Sequence, residues 1–121
     1  MRERSDIRLL CGDITEAVGR ILQYTSDMTY SEFSADTRTQ DAVVRNLEIL
    51  VEAVKNLPEP FKKQYPEVPW RFIAGMRDKL IHHYFGVSLE IAWETARSDI
   101  PALQEQLKAV RFPDVRDEKH L

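Results

Sequence analysis

The stretch Pro69-Trp70-Arg71-Phe72-Ile73-Ala74-Gly75-Met76-Arg77-Asp78-Lys79-Leu80-Ile81-His82-His83-Tyr84-Phe85-Gly86 contains a helix start, an apolar stripe and a helix stop in one segment. Pro69 suits the beginning of a helix, where a missing N–H costs nothing, and Trp70, Ile73, Leu80 and Ile81 supply the stripe. Gly86 is placed to end that helix and Ser88 to cap the next, which Leu89, Ala92, Trp93 and Ala96 continue at helical spacing. The spacing therefore predicts a third helix that carries Arg77, His82 and Tyr84 toward its C-terminal end, and a fourth helix after Ser88.

The same periodicity extends in both directions. Ile7, Leu10, Ile14, Ala17, Val18, Ile21 and Leu22 recur at steps of three and four behind Asp6 as N-cap, which predicts a helix from Ile7 to about Thr25. Thr29 can cap a short turn anchored by Tyr30 and Phe33. Val43, Leu47, Leu50, Val51 and Val54 mark the buried face of a helix from about Thr37 to Leu57, which Pro58 and Pro60 stop. Four prolines between Leu57 and Trp70 make that segment a connection with at most one helical turn, near Phe61 to Gln64. Ser98 or Asp99 before Pro101 signals a fifth segment, with Leu103, Leu107 and Val110, continuing the fourth through a bend. Residues 113–121 are charged and without period, and are expected to fray. The expected fold is all-α, an up-and-down bundle of four to five helices in a single domain over 1–121, with its ordered core over about 6–112.

Composition bounds the chemistry. The hydrophobic fraction of 43% and charged fraction of 31% are those of a folded domain. Cys11 is the sole cysteine, so one chain can form neither a disulfide nor a thiolate metal cluster, which fits a cytoplasmic setting. Residues 1–6 lack the apolar core of a signal peptide, and no apolar run is long enough to span a bilayer. The net charge of -3 argues against a basic surface over the whole protein, yet Lys62, Lys63, Arg71, Arg77 and Lys79 outnumber Glu67 and Asp78 between Phe61 and Phe85. A positive zone on an acidic body can attract one RNA strand, although Lys62 and Lys63 also read as solvated loop charges.

Arg77, His82 and Tyr84, spaced Arg-x4-His-x-Tyr, bring together a permanent cation, a side chain that titrates near neutral pH and a phenol. Metal-free RNA cleavage needs the ribose 2′-OH deprotonated and the leaving 5′-oxygen protonated, which an imidazole can serve, and a guanidinium to hold the phosphate oxygens. Singly, an Arg near a helix end is more often a surface charge, an isolated His more often structural and a Tyr more often a core aromatic. On a regular helix, five residues at about 100° each would set His82 roughly 140° around from Arg77, so either the helix loosens near His82 or another surface completes the site. His83 reads as incidental.

The surroundings lift this trio above a short spacing. The run from Trp70 to Val87, continued by Leu89-Glu90-Ile91-Ala92-Trp93-Glu94, resembles the signature of HEPN domains in their HepT-like form. Ala42-Val43-Val44-Arg45-Asn46-Leu47-Glu48-Ile49-Leu50 is similar to a second block of that family, closed by Glu52-Ala53, with Val51 where the family usually carries Gly. The resemblance covers roughly Asp6 to Val110. It implies a HEPN-type endoribonuclease toxin, acting without metal or cofactor, of a type VII-like toxin–antitoxin pair. Arg77 and His82 are then the catalytic residues, Asp78 a supporting residue and Tyr84 the site at which a cognate minimal nucleotidyltransferase attaches AMP. The family's homodimers, in which paired motifs face each other across a cleft, imply the same assembly here. The alternative is a non-catalytic helical subunit that docks a nucleotidyltransferase or positions its substrate; the complete trio favours the enzyme. A carboxylate-metal bundle has little support, because no Glu-x-x-His pair occurs.

Overall fold

A computed structural model describes residues 6–82 and 86–111; of residues 81, 82, 86 and 87 it describes the backbone alone. Helix α1 (Ile7–Thr25) begins as the sequence predicts, with the Asp6 carboxylate accepting the Arg8 N–H at 3.0 Å. A capping box built by Thr29 and Glu32 starts the short α2 (Tyr30–Ser34), two reciprocal bonds that satisfy two of the orphan donors at its start. Helix α3 (Thr37–Asn56) follows on an Asp36 cap and ends where Leu57 turns extended ahead of Pro58.

The proline-rich connection holds one short helix, α4 (Glu59–Lys63), with Pro60 in its first turn. What pins the rest is Trp70, whose indole N–H is shared between the carbonyls of Lys62 at 3.1 Å and Tyr65 at 3.0 Å. Lys62 is equally committed: its side chain is 15% exposed, donates to Val54 O at the end of α3 and pairs with Glu59 at 3.3 Å. It is a helix-terminal tie, which corrects its reading as a solvated loop charge.

The third helix departs from expectation. It is broken into α5 (Trp70–Ala74) and α6 (Met76–Leu80) at Gly75, which takes φ -92° and ψ 0°. Glycine is the weakest helix former after proline, so the break falls where holding the helix is most costly. Nor does the helix run on to Gly86. It stops at Leu80, where β-branched Ile81 opens strand β1 (Ile81–His82), paired antiparallel with β2 (Gly86–Val87) in the register Ile81 to Val87 and His82 to Gly86. Gly86 is thus a strand residue and not a helix stop, and the ladder is the only departure from helix and turn that pairs strands among the described residues.

Ser88 caps α7 (Leu89–Glu94) as expected, accepting the Ile91 N–H at 3.3 Å. The chain then stays helical through a π segment (Thr95–Asp99) into α8 (Ile100–Leu107), with the Ile100 N–H reaching back five residues to Thr95 O. Pro101 has no N–H to give the carbonyl of Arg97, and the widened turn absorbs that loss. Neither Ser98 nor Asp99 starts a fresh helix; the backbone at Asp99 is already helical and its side chain caps nothing.

Helix α3 is the centre of the bundle. It packs along α1 and also meets α2, α5, α6 and α7, while α1 reaches the π segment and α8. Ile14, Ile21, Phe33, Val43, Leu50, Val54 and Ile100 are fully buried. Each such side chain contributes about 1.5–3 kcal/mol, so this seam outweighs surface ion pairs such as Arg20–Glu16. The result is an all-α bundle in which α6 packs on α3 and leads into the short ladder.

Candidate active site

Helix α6 is a little over one turn long, and two side chains decide its orientation. Met76 and Leu80, four residues apart, are both buried, at 5% and 2% exposure. Side chains at i and i+4 share a face, so burying these two turns Arg77, Asp78 and Lys79 outward. Ser88 N–H donates to Leu80 O at 2.9 Å, which gives the last carbonyl of α6 a partner and closes the base of the ladder.

Arg77 is exposed and has no hydrogen-bond or ion-pair partner among the described residues. Asp78 is also exposed and makes no bond to Arg77, as expected for neighbours that diverge by about 100° on a helix. Lys79 lies with its ammonium 4.9 Å from the centroid of the Phe72 ring, joining α6 to α5 across the Gly75 break. That pair was not singled out in the sequence, although seven residues is two helical turns and the spacing was there to be read.

The backbone of His82 lies in β1, two residues beyond the end of α6, so Arg77 and His82 do not share a helix. The angle of 140° between them, which rests on an unbroken helix, does not apply. His83 and Tyr84, the segment 113–121 and the side chain of His82 lie outside the described residues.

Elsewhere the reactive groups are quiet. Burial pushes the Cys11 thiol up to about 12, so it stays protonated and is no nucleophile. Among the described residues no three His, Cys, Asp or Glu side chains stand together to hold a metal ion. No helix among them is long and apolar enough to cross a membrane.

The chain matches the family model described as "Ribonuclease HepT-like" over residues 14–110. It is 46% identical over 115 residues to a Methanocaldococcus jannaschii protein bearing an RNase name, an alignment covering 92% of this chain and 95% of that one. To the "Probable ribonuclease HepT" of Thermococcus cleftensis it is 48% identical over 99 residues, covering 82% and 90%. A third relative with an RNase name, from Caldanaerobacter subterraneus, is 47% identical over 90 residues, covering 74% and 80%. No solved structure gives a significant match. With a family model spanning most of the bundle, and with relatives aligned over nearly all of their own length, the chain belongs to the HepT-like family of ribonucleases.

Proposed function

We propose that this ribonuclease is a metal-independent endonuclease and the toxin of a toxin–antitoxin pair, with Arg77 and His82 as its catalytic residues. The observation that carries the reading is Arg77: an exposed guanidinium without a partner among the described residues, on a helix whose face is fixed by Met76 and Leu80, close in sequence to the only histidine of the ladder. A cation kept unpaired is available to an anionic ligand, and its fork fits two phosphate oxygens.

In the proposed reaction the 2′-oxygen of the ribose attacks the adjacent phosphorus and the bond to the 5′-oxygen breaks, leaving a 2′,3′-cyclic phosphate and a 5′-hydroxyl. One proton leaves the 2′-OH and one reaches the 5′-oxygen. Imidazole, with an ordinary pKa of about 6.5, serves either transfer at neutral pH, and Arg77 stabilises the charge that builds on the phosphate. Two transfers and one motif histidine per chain favour a homodimer with the site at the cleft between two ladders. Asp78 has a supporting role there, in orienting a water, since it makes no bond to Arg77 among the described residues.

Tyr84 is the control point in this reading. Its phenolic oxygen attacks the α-phosphorus of ATP held by a partner nucleotidyltransferase, pyrophosphate leaves, and the attached AMP puts a phosphate two residues from His82. The added negative charge competes with the substrate for Arg77.

Induced expression of the wild type should arrest growth, while Arg77→Ala and His82→Ala should be tolerated. The purified wild type should cleave RNA in the presence of a chelator, and Arg77→Ala should be slower by about a hundredfold to a thousandfold, the usual cost of one charge-stabilising donor. Equal tolerance of all three proteins, with no cleavage by any, sinks the reading. Intact mass after co-expression with the partner tests the control point: an AMP increment is expected on the wild type and not on Tyr84→Phe.

A further inference from the structure

A groove of about 700 Å³ runs between the proline-rich connection and α5, with Val68, Trp70, Phe72, Lys63 and Arg71 among its lining together with Glu59, whose carboxylate is paired with Lys62. Its walls are fixed, because the two bonds of the Trp70 indole hold the connection against α5. Its charges divide into spent and available ones. Lys62 is committed to Val54 O and Glu59. Lys63 and Arg71 are exposed and have no ion pair among the described residues. Phe72 beside them is 41% exposed, one of few large apolar side chains left open.

We infer that this groove binds the unpaired RNA strand flanking the scissile bond, with phosphates on Lys63 and Arg71 and one base stacked on Phe72. The inference rests on the ribonuclease reading and specifies the form of its substrate. Cations alone would suit any polyanion; the open aromatic ring selects among them. A duplex keeps its base faces inside the stack, whereas a single strand offers a face to every aromatic platform it passes. An acidic protein surface would use the two cations and gain nothing from stacking. The position fits as well. Ala74 lines the groove and Arg77 is three residues on, which bounds their Cα separation at about 11 Å. Lys79 sits over one face of the Phe72 ring, so the base stacks on the face it leaves, and its ammonium extends the positive path from groove to α6.

The test uses the full chain, a single-stranded oligoribonucleotide that it cleaves, the 2′-O-methyl form of that oligonucleotide, its duplex, and polyglutamate. Phe72→Leu keeps apolar bulk and removes the ring, and Lys63→Ala/Arg71→Ala removes the cations; melting curves confirm that both fold. Phe72→Leu should weaken binding of the 2′-O-methyl strand by about thirtyfold, the loss of one stacked base at the middle of its usual range, and the double variant should weaken it through the lost phosphate contacts. The double variant should also flatten the salt dependence by about 1.4 log units per log unit, at roughly 0.7 per phosphate contact. Wild-type affinity in both variants overturns the inference, as does a duplex bound as tightly as the strand. Equal competition by polyglutamate with no effect of Phe72→Leu overturns it in favour of an acidic protein partner. The two readings fail separately: absent RNA cleavage, or cleavage indifferent to Arg77→Ala, removes the ribonuclease mechanism, whereas failure of the groove leaves Arg77-dependent cleavage standing.

Discussion

Replacing Arg97 with Met should loosen the bundle at a point far from the site. Arg97 projects from the π segment to the end of α1, where its guanidinium donates to Thr25 O at 3.0 Å and lies 3.5 Å from Ser26 O. Helix α1 has no basic residue in its own last turn, so this cation from 72 residues away faces the negative end of the dipole. The guanidinium also sits 5.4 Å from the Trp93 ring, which packs in turn on Phe33 and Tyr30. A charged hydrogen bond is worth about 1.5–3 kcal/mol when its loss strands a partner. Here Thr25 O keeps a second donor, the Met28 N–H at 3.2 Å, and Arg97 is exposed, so the lower end applies. Methionine preserves the apolar stem over Trp93 but not the charge, for which an exposed cation–π contact adds about 0.5 kcal/mol. The expected loss is about 1–2 kcal/mol, or roughly 3–8 °C in Tm for a chain of this size. Amide exchange should rise selectively at the end of α1. A variant that melts within about a degree of wild type, or loosens uniformly, refutes the claim that this bond ties the last arm of the bundle to α1.

Two further outcomes follow from local geometry. The Thr39 backbone N–H and hydroxyl donate to the Asp36 carboxylate and hold it below the ordinary aspartate range. A depressed folded-state pKa stabilises above the unfolded value of about 3.9 and is lost as pH falls through the folded one, so Asp36→Asn should lower Tm at neutral pH and converge with wild type in strong acid; a Tm gap that widens in acid contradicts it. Gly75→Ala should raise stability by about 0.4–1 kcal/mol through the unfolded chain, because φ there is negative and an added Cβ meets Arg71 O and Phe72 O at 3.6 and 3.7 Å, ordinary contact distances; a fall in Tm in thermal melts counts against it.

The long arms were legible because their signals are local. Asp6 and Thr29 cap where they were read to cap, and the predicted stripe of α3 is buried throughout. Devices that act between segments were not legible in the same way. The Trp70 indole that pins the proline-rich connection and the Arg97 tie to α1 depend on groups brought together by tertiary folding, and neither leaves a period in the chain. The third helix failed for a different reason. Its apolar residues continue in helical register past Gly75 to Ile81, so periodicity alone saw one helix, while the glycine and the β-branched residue decided where helical hydrogen bonding would yield.

That failure bears directly on the site. Arg77 is an exposed cation because burial of Met76 and Leu80 turns it outward, and of the two ways open to its pairing with His82, a helix that loosens or a second surface, the backbone takes the first. On one continuous helix the two side chains diverge and the site must borrow a surface. With the helix ended at Leu80, His82 lies in an extended segment whose direction owes nothing to the helical angle, and the two residues stand on different elements. Three helical steps at about 1.5 Å and two extended ones at about 3.3 Å separate them by roughly 11 Å along the chain. In the proposed site that span is short enough for a phosphate to lie between a guanidinium and an imidazole. The homodimer is therefore no longer needed to repair the geometry of one motif. What still favours it is the chemistry, since two proton transfers ask for two groups and each chain brings one histidine to the ladder.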